Sequence, residues 1–426
     1  MVTYPPCFLL GWGLLLFLFK LGSRRQLDFQ LRDPESRVLE NLNQLSDCQQ
    51  ESLPVNKTLS HFLGHVGSGP IAGLRTQCVQ RLIRNKVLEG SRLLGHLVFA
   101  VDGTGLLCFK ERHCPHCLVH RNGASVYYLH PVLEAKLVDL RGLAVSIGSE
   151  FIENPMEIPF KARPDLATLT EYETVKQDCE LKAFARLAPQ LKAAFPQLRL
   201  CASGDSLYAC GTALTICEQN DWSFVLTFKP GRTPSLWKDF EGLLKLSPNN
   251  RLKCALADGT RQLFRWVNDL DYEDDQDRRH KLNALLCQET SGQEKHTFAR
   301  ITDLPLRQNT VCDVAARGGR VRSKIENQGF NIQKNSGLNL EHAYSNEPDV
   351  LKAFYYLLQM AHLFLQMFEM GSLLQPLAKE YDSSPIELFG SLKNLNQRLL
   401  ECFRYFTLGE EALTSPPCQI RLIDSS

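Results

Sequence analysis

The sequence lacks an apolar run long enough to cross a membrane. The main apolar stretch covers residues 7–19, whereas a membrane-spanning helix requires about 20 residues. Positive charge follows this stretch at Lys20, Arg24 and Arg25, instead of preceding it as in a secretory signal peptide. We therefore expect a buried helix of an N-terminal domain, rather than an anchor or an export signal.

The chain also lacks internal repeats, long low-complexity linkers and a strong net charge. Its 48 Lys and Arg residues nearly balance 47 Asp and Glu residues, which leaves a net charge of +1. This balance disfavours binding of nucleic acid through total charge alone, because such binding depends on neutralising many phosphates. Basic residues are nevertheless clustered at Arg317, Arg320, Arg322 and Lys324. Such a cluster is typical of a solvated helix face or of a DNA-contacting surface.

The fifteen cysteines are scattered through apolar segments of a 426-residue chain. This distribution favours a reduced cytosolic protein over a disulfide-rich secreted one. The one tight cluster lies at residues 113–117, and no second Cys-x-x-Cys follows it. Its spacing can provide two zinc ligands, Cys114 and Cys117, with His120 or His113 as a third. The alternative interpretation is a hairpin or loop between the first two strands of a core.

Three acidic residues occupy positions typical of a metal site. Asp102 and Asp205 each follow an apolar, strand-like run, and Glu326 lies in a helix-like stretch that also carries Arg322 and Lys324. Mg²⁺ takes oxygen ligands and retains water and substrate oxygens in its shell. Two such ions about 4 Å apart can activate an attacking hydroxyl and stabilise the leaving oxygen of a phosphoryl transfer. The pattern therefore predicts a two-metal phosphoryl-transfer site with neighbouring cations around the phosphates.

The segments around these acids resemble the DDE transposases of bacterial insertion sequences, in particular the subgroup with a Tyr-Arg-Glu-Lys signature. The matching segments are Val-Asp-Gly-Thr-Gly at 101–105, Gly-Asp-Ser at 204–206, and the region from Arg322 to His342. The resemblance extends roughly over residues 90 to 370. It implies an RNase H-like fold in which three catalytic carboxylates bind Mg²⁺ or Mn²⁺. Those metal ligands are Asp102, Asp205 and Glu326.

Two positions depart from that signature. Gly319 stands where the signature has Tyr, and Gln333 stands where it has Lys, with Lys334 one residue later. On a regular α-helix, the seventh residue after Glu326 returns to within about 20° of it, whereas the eighth lies about 80° away. Lys334 can still reach a phosphate through its long stem. The predicted DNA contacts are Arg320, Arg322, Lys324 and Lys334.

The predicted fold class is α/β, with an RNase H-like mixed-sheet catalytic core interrupted by a β-rich insertion and with helical N- and C-terminal regions. Strand-like runs at 97–101, 125–129 and 133–147 precede an amphipathic helix at 179–195 and the strand before Asp205. The interval from Asp205 to Glu326 is too long for a loop inside a compact domain and must hold structure of its own. The predicted domains are a helical DNA-binding region (1–92), the first part of the core (93–230), the insertion (231–305), the second part of the core with the catalytic Glu (306–345) and a helical region (346–426).

The function implied by the resemblance is that of a DNA transposase. Such an enzyme binds the terminal inverted repeats of its element, cleaves DNA with a divalent metal and transfers the strands to a target. Its partner is double-stranded DNA, and the synaptic complex would be a homodimer in the bacterial cytoplasm, associated with the nucleoid and not with a membrane. The resemblance also suggests a DNA hairpin at each released end.

Three alternatives remain open from the sequence. An RNase H-like nuclease would share the carboxylates but cut without strand transfer. An inactive, domesticated relative would only bind DNA. A zinc-dependent hydrolase built on residues 113–120 would leave the three acids without a role.

Overall fold

The computed structural model of this chain describes residues 3–111, 114, 116–123, 125–154, 177–383, 385–409 and 419–422. The chain divides into two compact units. Residues 1–90 together with 330–426 form the first unit, and residues 91–329 form the second.

The chain begins in the first unit with helices. The prediction that residues 7–19 form a buried helix is confirmed, because this segment lies in α1 and its Phe8, Trp12 and Leu16 side chains are buried. Among the helices that the structure describes, none has the length and apolar character needed to cross a membrane. The first five helices are α1 Pro6–Leu18, α2 Arg24–Leu31, α3 Val38–Ser46, α4 Asn56–Val66 and α5 Ser68–Arg84.

The second unit is built on a ten-stranded mixed sheet, which confirms the α/β class. The strand order is β2-β3-β1-β5-β6-β10-β9-β8-β7, and β4 also pairs with β3. The strands are β1 Leu97–Phe109, β2 Leu118–Asn122, β3 Ser125–Val138, β4 Ala144–Phe151, β5 Leu200–Gly204, β6 Ser223–Thr227, β7 Arg251–Ala255, β8 Arg261–Glu273, β9 Arg279–Ser291 and β10 Glu294–Thr302.

The centre of the sheet is parallel and its flanks are antiparallel. Strands β1, β5 and β6 run parallel, while β3 is antiparallel to β1, and β10 is antiparallel to β6. Every residue of β5 is buried, as expected for a parallel strand covered on both faces. Because β10 pairs with β6, the strands β7 to β10 continue the same sheet instead of forming a separate one.

Three helices of the second unit connect or cover these strands: α6 Glu180–Ala194, α7 Gly211–Gln219 and α8 Pro234–Leu246. The amphipathic helix predicted at 179–195 is confirmed by α6. Its Leu187 and Leu191 side chains pack so closely on Gly148 of β4 that a Cβ atom there would lie 2.6 Å from Leu191. A larger residue at position 148 would thus force these leucine side chains to move.

One predicted strand end is wrong. Asp102 was expected to follow a strand that stops at Val101, but β1 continues to Phe109. The reason is the long antiparallel pairing with β3, which runs from Phe99 opposite Leu137 to Phe109 opposite Tyr128. Asp102 consequently lies in the middle of β1.

A series of short helical turns follows β10. The regular α-helix assumed around Glu326 is also wrong, since the turns at Val314–Gly319 and Ile325–Phe330 are π-helical and the turn at Arg320–Arg322 is a 3₁₀-helix. In a π-helix the hydrogen bonds join residues i and i+5, so 100° per residue no longer applies. The remaining helices are α9 Val311–Asp313, α10 Asn331–Asn335, α11 Pro348–Met370, α12 Gln375–Glu380, α13 Pro385–Phe389 and α14 Leu392–Tyr405.

Candidate active site

Asp102 lies in β1, and Asp205 follows directly after β5, the parallel strand next to β1. In the register of β1 with β5, Ala100 is opposite Ser203. Asp102 lies two residues after Ala100, and Asp205 lies two residues after Ser203. Neighbouring strands are about 4.8 Å apart, and β1 and β5 run parallel. The two acids therefore lie near each other at the carboxyl end of β5.

Glu326 and Arg322 complete this cluster from the π-helical region. The Arg322 guanidinium contacts the Asp102 carboxylate at 3.4 Å and the Glu326 carboxylate at 2.5 Å. The Glu326 and Asp102 carboxyl groups are themselves close enough to share a hydrogen bond. The structure therefore brings together the three acids that were selected from the sequence, with Arg322 between two of them.

Glu180 is a fourth acid of the cluster that sequence reasoning missed. It is the first residue of α6, and its carboxylate accepts a hydrogen bond from the Tyr208 hydroxyl at 3.0 Å. A Cβ atom on Gly103 would lie 2.5 Å from a Glu180 carboxylate oxygen, so only glycine permits this close approach. The available signal was the position of Glu180 in the first turn of a predicted helix. We call Asp102, Asp205, Glu326 and Glu180 the acidic site.

Two acids of the acidic site, Asp102 and Glu180, have raised pKa values. Burial raises the pKa of Asp102 to about 7; Arg322 opposes this shift, while Glu326 and Glu180 reinforce it. Burial also raises the pKa of Glu180, against the hydrogen bond from Tyr208. The acidic site holds four carboxyl groups and one guanidinium, and such an excess of negative charge favours a proton or an added cation.

The predicted DNA-contacting cations occupy different surroundings. Arg320 pairs with Glu289 and lies over the Phe298 ring, and Lys324 is half-buried in the second unit. Lys334 belongs to the first unit, where its ammonium pairs with Glu341 at 2.7 Å.

Gln333, at the position of the signature Lys, is fully buried within the first unit. Its amide contacts Gln359 at 2.8 Å and His362 at 2.9 Å. The side chain at this position therefore belongs to a core polar network and does not face solvent.

The Arg300 side chain lies against Gly319, the residue at the position of the signature Tyr. A Cβ atom on Gly319 would lie 2.6 Å from Arg300 Nε, so the Arg300 side chain occupies the space that a larger residue would need. Burial lowers the pKa of Arg300, and repulsion from Arg322 and Arg320 adds to this effect. In the described part of the chain no carboxylate lies within ion-pair distance of Arg300. The three arginines line one cavity of about 840 Å³.

A second cluster of ligand-type side chains lies on the β1–β2 connection and on β3. Cys114 and Cys117 come together, as one interpretation of the sequence proposed, but the third group is His130 rather than His120. His120 is exposed on β2, and His113 lies outside the described residues. The segment also connects the first two strands, as the other interpretation proposed. We call Cys114, Cys117 and His130 the thiol site.

A comparison of the chain with protein-family models finds no match, and a comparison with curated proteins finds no similar sequence. The chemistry of the site residues is therefore the basis for inferring a function. Carboxylates from a strand, a strand end and two helical turns form a donor set suited to Mg²⁺ or Mn²⁺, which prefer oxygen ligands. The adjacent arginines provide positive charge for an anionic substrate.

Proposed function

We propose that the protein is a DNA transposase that cleaves and joins DNA at the acidic site with a divalent metal. The observation that carries this proposal is the meeting of Asp102, Asp205 and Glu326 at the edge of the parallel strands, beside a cavity lined by arginines. The order of elements along the chain supports an RNase H-like core, since four antiparallel strands are followed by α6 and then by the parallel strands β5 and β6, which α7 connects. The resemblance to DDE transposases supplies the reaction class.

Asp102, Asp205 and Glu326 would hold Mg²⁺ or Mn²⁺, with Glu180 beside them. When bound, the metal would activate the attacking hydroxyl and stabilise the departing oxygen of the phosphodiester. Asp102 must be ionised to act as a ligand, so its raised pKa makes metal binding compete with a proton. Arg322 neutralises Asp102 and Glu326 in the free protein and would be released toward a DNA phosphate when a metal takes over this role.

The arginine-lined cavity would receive the DNA backbone. Arg300 is the strongest candidate for a phosphate contact, because it is buried, crowded by other cations and without a carboxylate partner among the described residues. A phosphate is an anion that arginine can bind through two parallel hydrogen bonds. Arg320 and Arg322 line the same cavity, whereas Lys324 and Lys334 would act at other points along the DNA.

The proposed reaction joins two element ends, so the active complex would be a dimer on double-stranded DNA. The chain's own geometry contributes orientation and charge: Gly103 and Tyr208 fix Glu180, and Arg322 fixes Asp102 and Glu326. Release of each end through a DNA hairpin would follow if the freed 3′-hydroxyl attacks the opposite strand.

The test is a cleavage assay with purified protein, Mg²⁺ and labelled DNA carrying the inverted repeats that flank the gene. We expect cleaved ends on a denaturing gel and joined products with a target plasmid. Asp102→Asn should reduce cleavage by more than about 100-fold, since loss of a group that merely supports a metal ligand already costs 10- to 100-fold. Binding of the DNA end should remain measurable.

The matched control is Asp221→Asn, which removes an acid whose side chain is 90% exposed in the same unit. Asp221 has a positive φ of 54°, which Asn also tolerates. This variant should cleave like the unmodified protein. A fold-back product of doubled length would support the hairpin route, whereas cleavage without joining would support the nuclease alternative. Equal activity of Asp102→Asn and the unmodified protein would overturn the proposal.

A further inference from the structure

The spacing of the thiol site matches a tetrahedral zinc ion. The Cys114 and Cys117 sulfurs are 3.6 Å apart, and His130 Nε2 lies 3.6 Å from the first and 3.1 Å from the second. With zinc–sulfur bonds of 2.3 Å and zinc–nitrogen bonds near 2.0 Å, tetrahedral ligands are separated by roughly 3.8 Å for two sulfurs and roughly 3.5 Å for sulfur and nitrogen. The three ligand atoms are therefore already at coordination distances from a common point.

The surroundings of the thiol site are apolar. Cys117 is fully buried and Cys114 is 8% exposed, and both pack with Tyr128. Phe109 and Val119 cover the cluster from β1 and β2. Burial of this kind limits access of substrate, so the site resembles a closed structural metal site rather than a catalytic one.

Asn154, which follows β4, forms hydrogen bonds with the backbone of the turn that carries the two cysteines. Its amide side chain donates to the Cys117 carbonyl at 3.1 Å, and its backbone N–H donates to the His116 carbonyl at 3.1 Å. His116 Nδ1 in turn contacts the Asn154 carbonyl at 3.1 Å. These bonds orient the cysteines without using their sulfurs, as supporting partners of metal ligands commonly do.

Gln177, in the segment just before α6, forms further hydrogen bonds with β2. Its side-chain amide accepts from the Val119 N–H at 2.8 Å and donates to the Val119 carbonyl at 3.0 Å. Gln177 lies three residues before Glu180. Asn154 also donates to the Gln177 side chain at 3.2 Å, and Lys182 of α6 donates to the Gln177 backbone carbonyl at 2.9 Å. These bonds connect the turn of the thiol site with the first turn of α6.

We propose that Cys114, Cys117 and His130 bind one structural Zn²⁺, which fixes the β1–β2 turn against β3. Both cysteines bind as thiolates and release their protons to solvent. A fourth ligand, water or a further side chain, completes the tetrahedron. The site is independent of the proposed transposase reaction, since it involves different residues and a softer metal.

The first experiment measures zinc per chain by elemental analysis of the full-length protein, purified under reducing conditions without added metal. We expect about one zinc per chain, and at least about a fivefold loss in Cys117→Ser and in His130→Ala, because each removes one of three ligands. Cys108→Ser and His120→Ala are the matched controls, since both residues are exposed on the neighbouring strands. Both controls should retain zinc.

A second measurement avoids variants that fail to fold. Cobalt(II) is exchanged into the unmodified protein, and its spectrum should show a sulfur-to-cobalt charge-transfer band together with the visible bands of tetrahedral cobalt. Absence of zinc from the unmodified protein, zinc retained in both ligand variants, or a cobalt spectrum without the sulfur band would each overturn the proposal. A Cys114–Cys117 disulfide in the protein isolated under reducing conditions would also overturn it.

Discussion

The acidic site and the thiol site lie on the same sheet but offer different ligand atoms. Asp102 of the acidic site lies in β1, and His130 of the thiol site lies in β3, the strand paired with β1. The acidic site presents four carboxyl groups and one guanidinium, and part of it is open to solvent, since the Glu326 side chain is 48% exposed. The thiol site presents sulfur and nitrogen within an apolar cluster.

The two proposals together assign an exchangeable metal and a resident metal to different sites of one sheet. Hard oxygen ligands around partly solvated charge favour Mg²⁺, which binds weakly and keeps water for the reaction. Sulfur and imidazole in a buried pocket favour Zn²⁺, whose binding free energy stabilises the fold. The following predictions test that separation.

The largest expected effect is the response to removal of free divalent metal. Gel filtration into metal-free buffer should reduce DNA cleavage by more than about 100-fold, because the acidic site then lacks the cation that activates the hydroxyl. Zinc content, measured in the same sample, should not change. Added Mg²⁺ or Mn²⁺ should restore cleavage, and recovery with Zn²⁺ alone would contradict the separation of the two sites.

A smaller effect is expected from pH. Because the pKa of Asp102 is raised to about 7, cleavage at limiting Mg²⁺ should fall about tenfold between pH 8 and pH 6, as this carboxyl becomes protonated. Zinc content should stay constant over the same range. Higher Mg²⁺ should reduce the loss at pH 6, since proton and metal compete. A decline that is independent of Mg²⁺ would assign the pH dependence to another group.

The raised pKa of Asp102 also predicts a pH dependence of stability. Stability should fall as pH rises, whereas cleavage should increase. The folded state keeps the proton on Asp102 up to about pH 7, whereas the unfolded chain loses it near pH 4, so the free energy of unfolding decreases as pH rises between these values. In metal-free protein, Asp102→Asn should therefore raise the free energy of unfolding by about 4 kcal/mol at pH 8 and by almost nothing at pH 4. Urea denaturation at both pH values measures the difference.

The smallest expected effect concerns the support of Glu180. Tyr208→Phe removes a hydrogen bond of 3.0 Å to the Glu180 carboxylate, and a single bond of this kind contributes about 1 kcal/mol. We expect a loss of roughly fivefold in apparent Mg²⁺ affinity during cleavage, with zinc content unaffected. Tyr272→Phe, which changes a partly buried tyrosine elsewhere in the unit, serves as control. A loss as large as that of Asp102→Asn would mean that Tyr208 does more than orient Glu180.

Much of the fold could be predicted from local sequence signals, and the exceptions have physical causes. Helix α6 was predictable because its apolar residues recur at helical spacing. The continuation of β1 beyond Asp102 was not, since the pairing with β3 that stabilises it joins residues far apart in sequence. The π-helical turns around Glu326 could not be read from composition, because π-helical and α-helical turns use the same residue types.

The candidate site shows the same division. Asp102, Asp205 and Glu326 could be selected by motif, and the structure brings them together. Glu180 was missed, because its position depends on how α6 packs onto β4. In the thiol site the two cysteines were visible from their spacing, whereas His130 enters through strand pairing and displaced the nearer His120 as third candidate ligand.

Asn154 and Gln177 join parts of the second unit that lie apart in the sequence. The Asn154 side-chain amide donates to Gln177 at 3.2 Å, and the side-chain carbonyl of Asn154 accepts from the Asp178 N–H at 3.2 Å. The Gln177 side chain bonds in turn to both the N–H and the carbonyl of Val119 in β2. Polar contacts thus fasten the N-terminal end of α6 to the sheet, in addition to the apolar packing of the helix on β4.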